Sequence, residues 1–153
     1  MRKWIRTLIV LLIFLGQTPN STAIAATPPR TQCFITIDNA HLSTSIYERF
    51  IKAAVKVNAS SQCDSVQTKL SLKVTLYKVG FLYNHKVIST VVIFNKLILP
   101  GQKINNVKTY ALCLNSKRTS YYGVASATAI VGGKEKHTLD DFSDKPVALE
   151  CGT

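Results

Sequence analysis

The sequence predicts an all-β protein: a single immunoglobulin-like antiparallel β-sandwich of about seven strands, after an N-terminal signal peptide. Short runs in which every second residue is apolar recur along the chain, separated by turn-forming residues. No long run keeps the apolar spacing of a helix. Four cysteines lie far apart in the chain, as in small exported domains that carry two disulfides. Together these patterns favour two packed sheets.

Residues 1–25 have the parts of a secretory signal peptide. A cationic head, MRKWIR, precedes about ten uncharged residues, and Ala23-Ile24-Ala25 is a small-x-small cleavage site. The alternative is a membrane anchor, but the apolar run is about half of the roughly 20 residues that a spanning helix requires. We therefore predict cleavage after Ala25, a single domain over 26–153, and a secreted, extracellular or cell-wall-associated protein without stable membrane insertion.

The predicted domain is basic. Residues 26–153 contain sixteen Lys and Arg and eight Asp and Glu, which gives a formal charge of +8. An exported basic domain attracts polyanions, although surplus lysine can also serve only to keep a surface solvated. The candidate polyanion contacts are Lys52, Lys56, Lys69, Lys73, Lys117 and Arg118. The first four project from the polar faces of the second and third predicted strands and form two pairs if these strands belong to different sheets.

The four cysteines predict disulfides. They are separated by 29, 49 and 37 residues, far wider than the spacing of a zinc site, so no metal ion is expected. Three pairings are open, and we favour Cys33–Cys63 with Cys113–Cys151. Cys33 opens one predicted strand and Cys63 follows the next, so antiparallel pairing would bring them to the same end. The second pair repeats this arrangement around the last two strands.

The predicted strands cover residues 32–38, 50–58, 69–77, 87–95, 108–113, 121–131 and 147–151. In the third, KLSLKVTLY, the apolar residues from Leu70 to Leu76 face the core and the polar ones face water. The near-continuous apolar run 87–95 indicates burial on both faces or a position at a sheet centre. The Gly/Ala face of 121–131 indicates close packing of a second layer. Residues 132–146 are interpreted as a long polar loop.

Residues 46–57 fit two structures. Ser45-x-x-Glu48 resembles a helix-capping box, and Ile46 and Phe50 keep helical spacing. From Ile51 onward, however, apolar and polar residues alternate. We predict a strand over 50–58, because the favoured disulfide requires an extended segment and Val-Lys-Val is typical of strands. A helix over this stretch remains open.

The blocks DNAHLST, LSLKVTLYKVG, ALC, YYGVASA and LEC, in this order behind a signal peptide, resemble a group of small secreted proteins of actinobacteria and related Gram-positive bacteria. The chain departs from that group in being Lys-rich and in having Tyr47-Glu48-Arg49 where a glycine often stands. The resemblance implies secretion and a disulfide-bonded β-sandwich-like domain, and it implies no activity. The matching positions are Asn39, His41, Ser43, Cys63, Leu76, Tyr77, Cys113, Tyr121, Gly123 and Cys151.

No catalytic residue and no cofactor site is predicted. Asp38, His41 and Ser43 have the residue types of a catalytic triad, but one short turn cannot easily aim them at each other, so we interpret His41 as bonding to local backbone. Asp140, Asp141 and Asp144 miss the spacing of a calcium loop and are interpreted as a solvated loop.

The function predicted is a secreted, non-enzymatic binding or surface-interaction module of unknown ligand. An anionic cell-wall or envelope polymer is the best candidate, and no specific nucleic acid is expected. The first alternative is a secreted effector or inhibitor that binds a protein partner. A hydrolase is the weaker alternative.

Overall fold

The computed structural model of the protein describes residues 32–137 and 140–153, so the predicted signal peptide lies outside the described residues. Two antiparallel sheets pack face to face, which confirms the predicted all-β sandwich. Seven of the described strands have five or more residues, and three shorter ones extend the sheet edges. The elements are β1 (Cys33–Ile37), β2 (His41–Leu42), α1 (Thr44–Phe50), β3 (Ala54–Cys63), β4 (Gln67–Lys78), β5 (His85–Phe94), β6 (Ile104–Leu112), β7 (Asn115–Val131), β8 (Lys134–His137), β9 (Asp141–Phe142) and β10 (Val147–Gly152).

Each sheet is built around one long strand. In the first sheet, β3 pairs with β6 on one side and with β1 and β2 on the other. In the second sheet, β7 pairs with β4 on one side, and β10, β9 and β8 follow one another along its other side. Strand β5 pairs with β4 at the edge of that sheet. The end of β4 and the start of β7 therefore lie side by side, which positions the site described below.

The alternation in β4 builds the core. Leu70, Leu72, Val74 and Leu76 are at most 1% exposed and pack in one cluster with residues of the first sheet, including Val57. Burial of each such side chain contributes roughly 1.5–3 kcal/mol. The predicted inward face of this strand is therefore confirmed.

The other face of β4 is less exposed than predicted. Thr75 is buried, and its Oγ1 lies 2.9 Å from the hydroxyl oxygen of Ser89 on β5. The ring of Tyr77 stacks on that of Tyr122 on β7, with ring centroids 5.2 Å apart. The flanking strands cover these side chains, because β4 lies between β5 and β7 rather than at an edge.

The Gly/Ala face of β7 lets the two sheets approach closely, as predicted. Gly123, Ala125, Ala127 and Ala129 all point into the core. A Cβ atom placed on Gly123 would lie 2.5 Å from Val57 Cγ2 on the opposite sheet. Only a glycine fits at this position without a shift of the neighbouring side chains.

Residues 44–63 form a helix and then a strand. Ser43 caps α1, and its Oγ accepts a hydrogen bond from the Ile46 backbone N–H at 3.3 Å. Ile51 ends the helix in the left-handed region, with φ 54°. The prediction of a strand from Phe50 to Asn58 was wrong at both ends, because β3 begins at Ala54 and continues to Cys63. The helical spacing belongs to α1 and the strand alternation belongs to β3, which follows it in the chain.

Two further predictions are corrected. Strand β5 lies at a sheet edge instead of a sheet centre, and Val91 and Ile93 on its outer face are 51% and 66% exposed. The predicted loop 132–146 contains β8 and β9, which pair with β7 along its free edge. Pairing of the backbone gives these short polar segments their extended form, although their sequences carry no alternation.

The disulfides are Cys33–Cys63 and Cys113–Cys151, the two pairs favoured from the sequence. Cys33 and Cys63 lie directly opposite each other in the β1–β3 register. The second bridge does not repeat this arrangement, because it joins the residue after β6 in the first sheet to β10 in the second. Two disulfides indicate an oxidising, extracellular-type environment. Among the described residues, no helix has the length and apolar character needed to span a membrane.

Candidate polyanion-binding cleft

A basic cleft lies at the end of the sandwich where β4 ends and β7 begins. Lys78 pairs with Tyr121 in the antiparallel β4–β7 register, so the first residues of β7 extend beside the turn between β4 and β5. The cleft between them has a volume of about 440 Å³. Its lining residues are Lys78, Val79, Gly80, His85, Leu114, Asn115, Lys117, Arg118, Thr119, Ser120, Gly152 and Thr153.

The lining combines three cationic side chains, those of Lys78, Lys117 and Arg118, and contains no aspartate or glutamate. A second depression of about 320 Å³ adjoins the cleft, shares Lys78 and His85 with it, and adds Lys86. Cations gathered around a concave surface focus their field on it and attract anions. The arrangement therefore suits a ligand with several negative charges.

The cations of the cleft are partly engaged within the protein. Lys78 Nζ donates a hydrogen bond to the main-chain oxygen of Thr153. Arg118 stands opposite Glu150 in the β7–β10 register, and both side chains are exposed. An ion pair between such exposed side chains would contribute only about 0–1 kcal/mol to stability, so Glu150 would compete little with an anion for Arg118.

The framework behind the cleft is held by several contacts. The fully buried Tyr121 donates its hydroxyl hydrogen to the Cys151 carbonyl oxygen at 2.6 Å, beside the Cys113–Cys151 disulfide. The Leu114 N–H donates to the Gly152 carbonyl at 2.7 Å. The cleft is therefore tied to both sheets.

Asn115 fixes the backbone of the basic segment. Its Oδ1 accepts a hydrogen bond from the Lys117 N–H at 2.9 Å. Gly152 makes room for this side chain, because a Cβ at position 152 would lie 2.1 Å from Asn115 Oδ1. The positions of Lys117 and Arg118 thus depend on the contacts of the Asn115 side chain, which the sequence does not reveal.

The structure distributes the six predicted contact residues over three places. Lys117 and Arg118 lie in the cleft. Lys69 and Lys73 are exposed on β4 of the second sheet. Lys56 projects from β3 of the first sheet, and Lys52 lies in the turn before that strand. The six therefore form no single patch, and the four lysines of the predicted second and third strands separate by sheet.

Sequence reasoning missed Lys78, His85 and Lys86. These residues flank the turn between β4 and β5, and Lys78 pairs with His85 in the register of that hairpin. Their proximity could have been inferred from the two adjacent strand patterns. Their proximity to Lys117 could not, because it depends on which strand lies beside β4.

Asp38, His41 and Ser43, which have the residue types of a catalytic triad, each bond to a different partner. His41 Nδ1 lies 3.0 Å from the Asn39 carbonyl oxygen, which confirms that His41 bonds to local backbone. Ser43 caps α1. Asp38 Oδ2 accepts a hydrogen bond from Asn58 Nδ2 at 3.0 Å. The hydrogen bonds of His41, Ser43 and Asp38 therefore go to separate partners and do not link the three residues into a triad.

The structure is a disulfide-bonded β-sandwich with a basic cleft at one end. No protein-family model matches the chain, and no curated protein sequence matches it either. The resemblance to small secreted Gram-positive proteins therefore stays a prediction. Within residues 32–137 and 140–153, no three His, Cys, Asp or Glu side chains are grouped as the ligands of a metal ion would be.

Proposed function

We propose that this protein is a secreted, non-enzymatic binding module that captures an anionic envelope polymer in the basic cleft. The observation that carries this proposal is the convergence of Lys78, Lys117 and Arg118 on a concave surface whose lining contains no acidic side chain. Cations that are distant in sequence but lie close together on a rigid part of the fold can bind several charges of one polyanion. Lysines that are scattered over a surface are less suited to this.

The chemistry of the cleft suits phosphate and carboxylate groups. Arg118 offers a planar guanidinium that can bind either group through two hydrogen bonds, whereas Lys78 and Lys117 act as compact charges. These interactions are exposed to solvent, so we expect binding to weaken as salt screens them.

Two features support the finer parts of the proposal. Taking the long strands alone, the order β1-β3-β6 in one sheet and β10-β7-β4-β5 in the other supports an immunoglobulin-like sandwich, in which loops at one end often bind ligands. The two disulfides support export, with Ala26 as the expected first residue of the mature protein.

The test compares two double variants that remove equal charge from opposite ends of the sandwich. Lys117→Ala with Arg118→Ala removes two cations from the cleft, and Lys96→Ala with Lys103→Ala removes two exposed cations near the far end of β5 and β6. We expect the cleft variant to bind inorganic polyphosphate at least about tenfold more weakly, since each contact to an anion contributes roughly 1 kcal/mol or more. The control variant should lose less than about twofold. Equal losses in both variants would show that net charge, rather than the cleft, governs binding.

An apolar pocket beside α1 favours the alternative of a protein-binding effector or inhibitor. The pocket has a volume of about 390 Å³ and lies between α1 and the start of β3, with Leu42, Tyr47 and Ala53 among its lining residues. The nearby Phe50 and Ile51 are 45% and 80% exposed. Capture of one defined protein that withstands high salt and is lost in Tyr47→Ser would favour this function over the polyanion module.

A further inference from the structure

We propose that the protein also binds the surface of an anionic lipid bilayer, and that the turn between β4 and β5 inserts apolar side chains among the lipid headgroups. This inference rests on the proposed function, because it extends polyanion binding by the same basic cleft to lipid headgroups. It is carried by the apolar tip, which we define as Phe81, Leu82 and Tyr83.

The apolar tip projects into solvent. Phe81 is 101% exposed, Leu82 is 84% exposed and Tyr83 is 66% exposed. On the opposite rim of the cleft, Leu114 is 81% exposed. Consecutive large apolar side chains that stay largely exposed indicate an interaction surface, whereas single exposed ones need no explanation.

The turn that carries the tip has a defined conformation. A Cβ on Gly80 would lie 2.1 Å from the Tyr83 carbonyl oxygen, so the chain closes tightly on this glycine. The Tyr83 ring packs against the His85 ring with centroids 4.4 Å apart. The exposure of Phe81 and Leu82 is thus a feature of a folded turn.

The charges behind the tip suit an anionic bilayer. Lys78 precedes the tip at the end of β4, Lys86 follows it near the start of β5, and Lys117 and Arg118 lie across the cleft. Apolar side chains in front of a ring of Lys and Arg are the arrangement by which peripheral proteins bind anionic membranes.

The convex form of the tip favours lipid over the other partners. A hydrophilic polymer offers no apolar medium for Phe81 and Leu82. A protein partner would need a pocket shaped to this tip, whereas the boundary between headgroups and acyl chains accepts apolar side chains of any shape.

The first test separates the contribution of the tip from that of the charges. Vesicles made of an equimolar mixture of phosphatidylglycerol and phosphatidylcholine are sedimented with the oxidised protein. The variant Phe81→Ser with Leu82→Ser should bind at least about tenfold more weakly and should keep its affinity for soluble polyphosphate. The control, Val91→Ser with Ile93→Ser, removes two exposed apolar side chains from the outer face of β5 and should bind as the unsubstituted protein does.

A second test follows the depth of the tip. The single tryptophan of the sequence is Trp4, inside the predicted signal peptide. In Phe81→Trp, the added fluorescence should shift to shorter wavelength with the mixed vesicles and remain unchanged with phosphatidylcholine alone. Ile93→Trp should show no shift with either. An unchanged emission of Phe81→Trp on vesicles to which the protein binds would overturn insertion.

The outcomes distinguish the two proposals. Binding to polyphosphate without binding to the mixed vesicles would overturn the lipid inference and leave the polyanion module intact. Equal vesicle binding by the tip variant and the unsubstituted protein would do the same. Binding to neither probe would refute the proposed function itself, and equal binding to neutral and anionic vesicles would refute the role of the basic cleft.

Discussion

At the scale of single residues, Gly123 tests the close approach of the two sheets. The Cβ of an alanine there would meet Val57 Cγ2 and Ile37 Cδ1, both inside the core. Gly123→Ala should therefore lower the free energy of unfolding by about 1–3 kcal/mol in urea. Ser126→Ala changes the outer face of the same strand and should stay within about 0.5 kcal/mol. A Gly123→Ala protein as stable as the unsubstituted one would contradict the packing described.

Replacement of the buried Gln67 by an apolar residue is expected to raise the stability of the protein. Its side chain is 1% exposed, and neither Oε1 nor Nε2 has a hydrogen-bond partner in the described part of the chain. A buried polar group without a partner costs about 1–3 kcal/mol. Gln67→Met keeps a similar shape and should raise the free energy of unfolding by about 1 kcal/mol, as measured by urea denaturation. The half-buried Gln62→Met should give no such gain, and a loss of stability in Gln67→Met would refute the assignment.

At the scale of elements, the two disulfides should differ in their effect on binding. Removal of either by alanine pairs should cost roughly 2–4 kcal/mol of stability. Only Cys113–Cys151 braces the cleft, since Cys33–Cys63 joins β1 and β3 at the other end of the sandwich. At a temperature where both variants stay folded, Cys113→Ala with Cys151→Ala should weaken polyphosphate binding and Cys33→Ala with Cys63→Ala should not. Equal affinities of the two variants for polyphosphate would show that the Cys113–Cys151 disulfide does not support the cleft.

The elements also show how far the sequence predicts this fold. Alternation located β4 and the 121–131 part of β7, because their inner faces are buried and sterically constrained, but it missed the exposed start of β7 at Asn115. It failed for β5, because a strand can be rich in apolar residues at an edge as well as at a centre. It missed β8 and β9, whose backbones pair with β7 although their sequences carry no alternation. Residues 44–63 could not be assigned correctly as one element, because a helix and a strand follow each other within this apolar stretch.

At the scale of the whole molecule, the sequence predicts the sign of the charge but not its place. Lys117 and Arg118 were among the six predicted contacts, and the structure places Lys78 and Lys86 near them through the pairing of β4 with β5 and β7. Lys56, Lys69 and Lys73 project from the faces of the two sheets instead. The sequence therefore predicted the basic character of the candidate site but only some of its residues. The reason is that the strand order of the sheets determines which lysines lie close together.

The central claim is that one end of the sandwich binds polyanions. The most direct test is a titration of the ¹⁵N-labelled, oxidised protein with inorganic polyphosphate, followed through backbone amide chemical shifts. We predict the largest changes at Gly80, His85, Leu114, Lys117 and Arg118, and their loss in about 0.5 M salt, where the Debye length falls to a few ångströms. Changes centred on Lys56, Lys69 and Lys73, or no changes at all, would contradict the account.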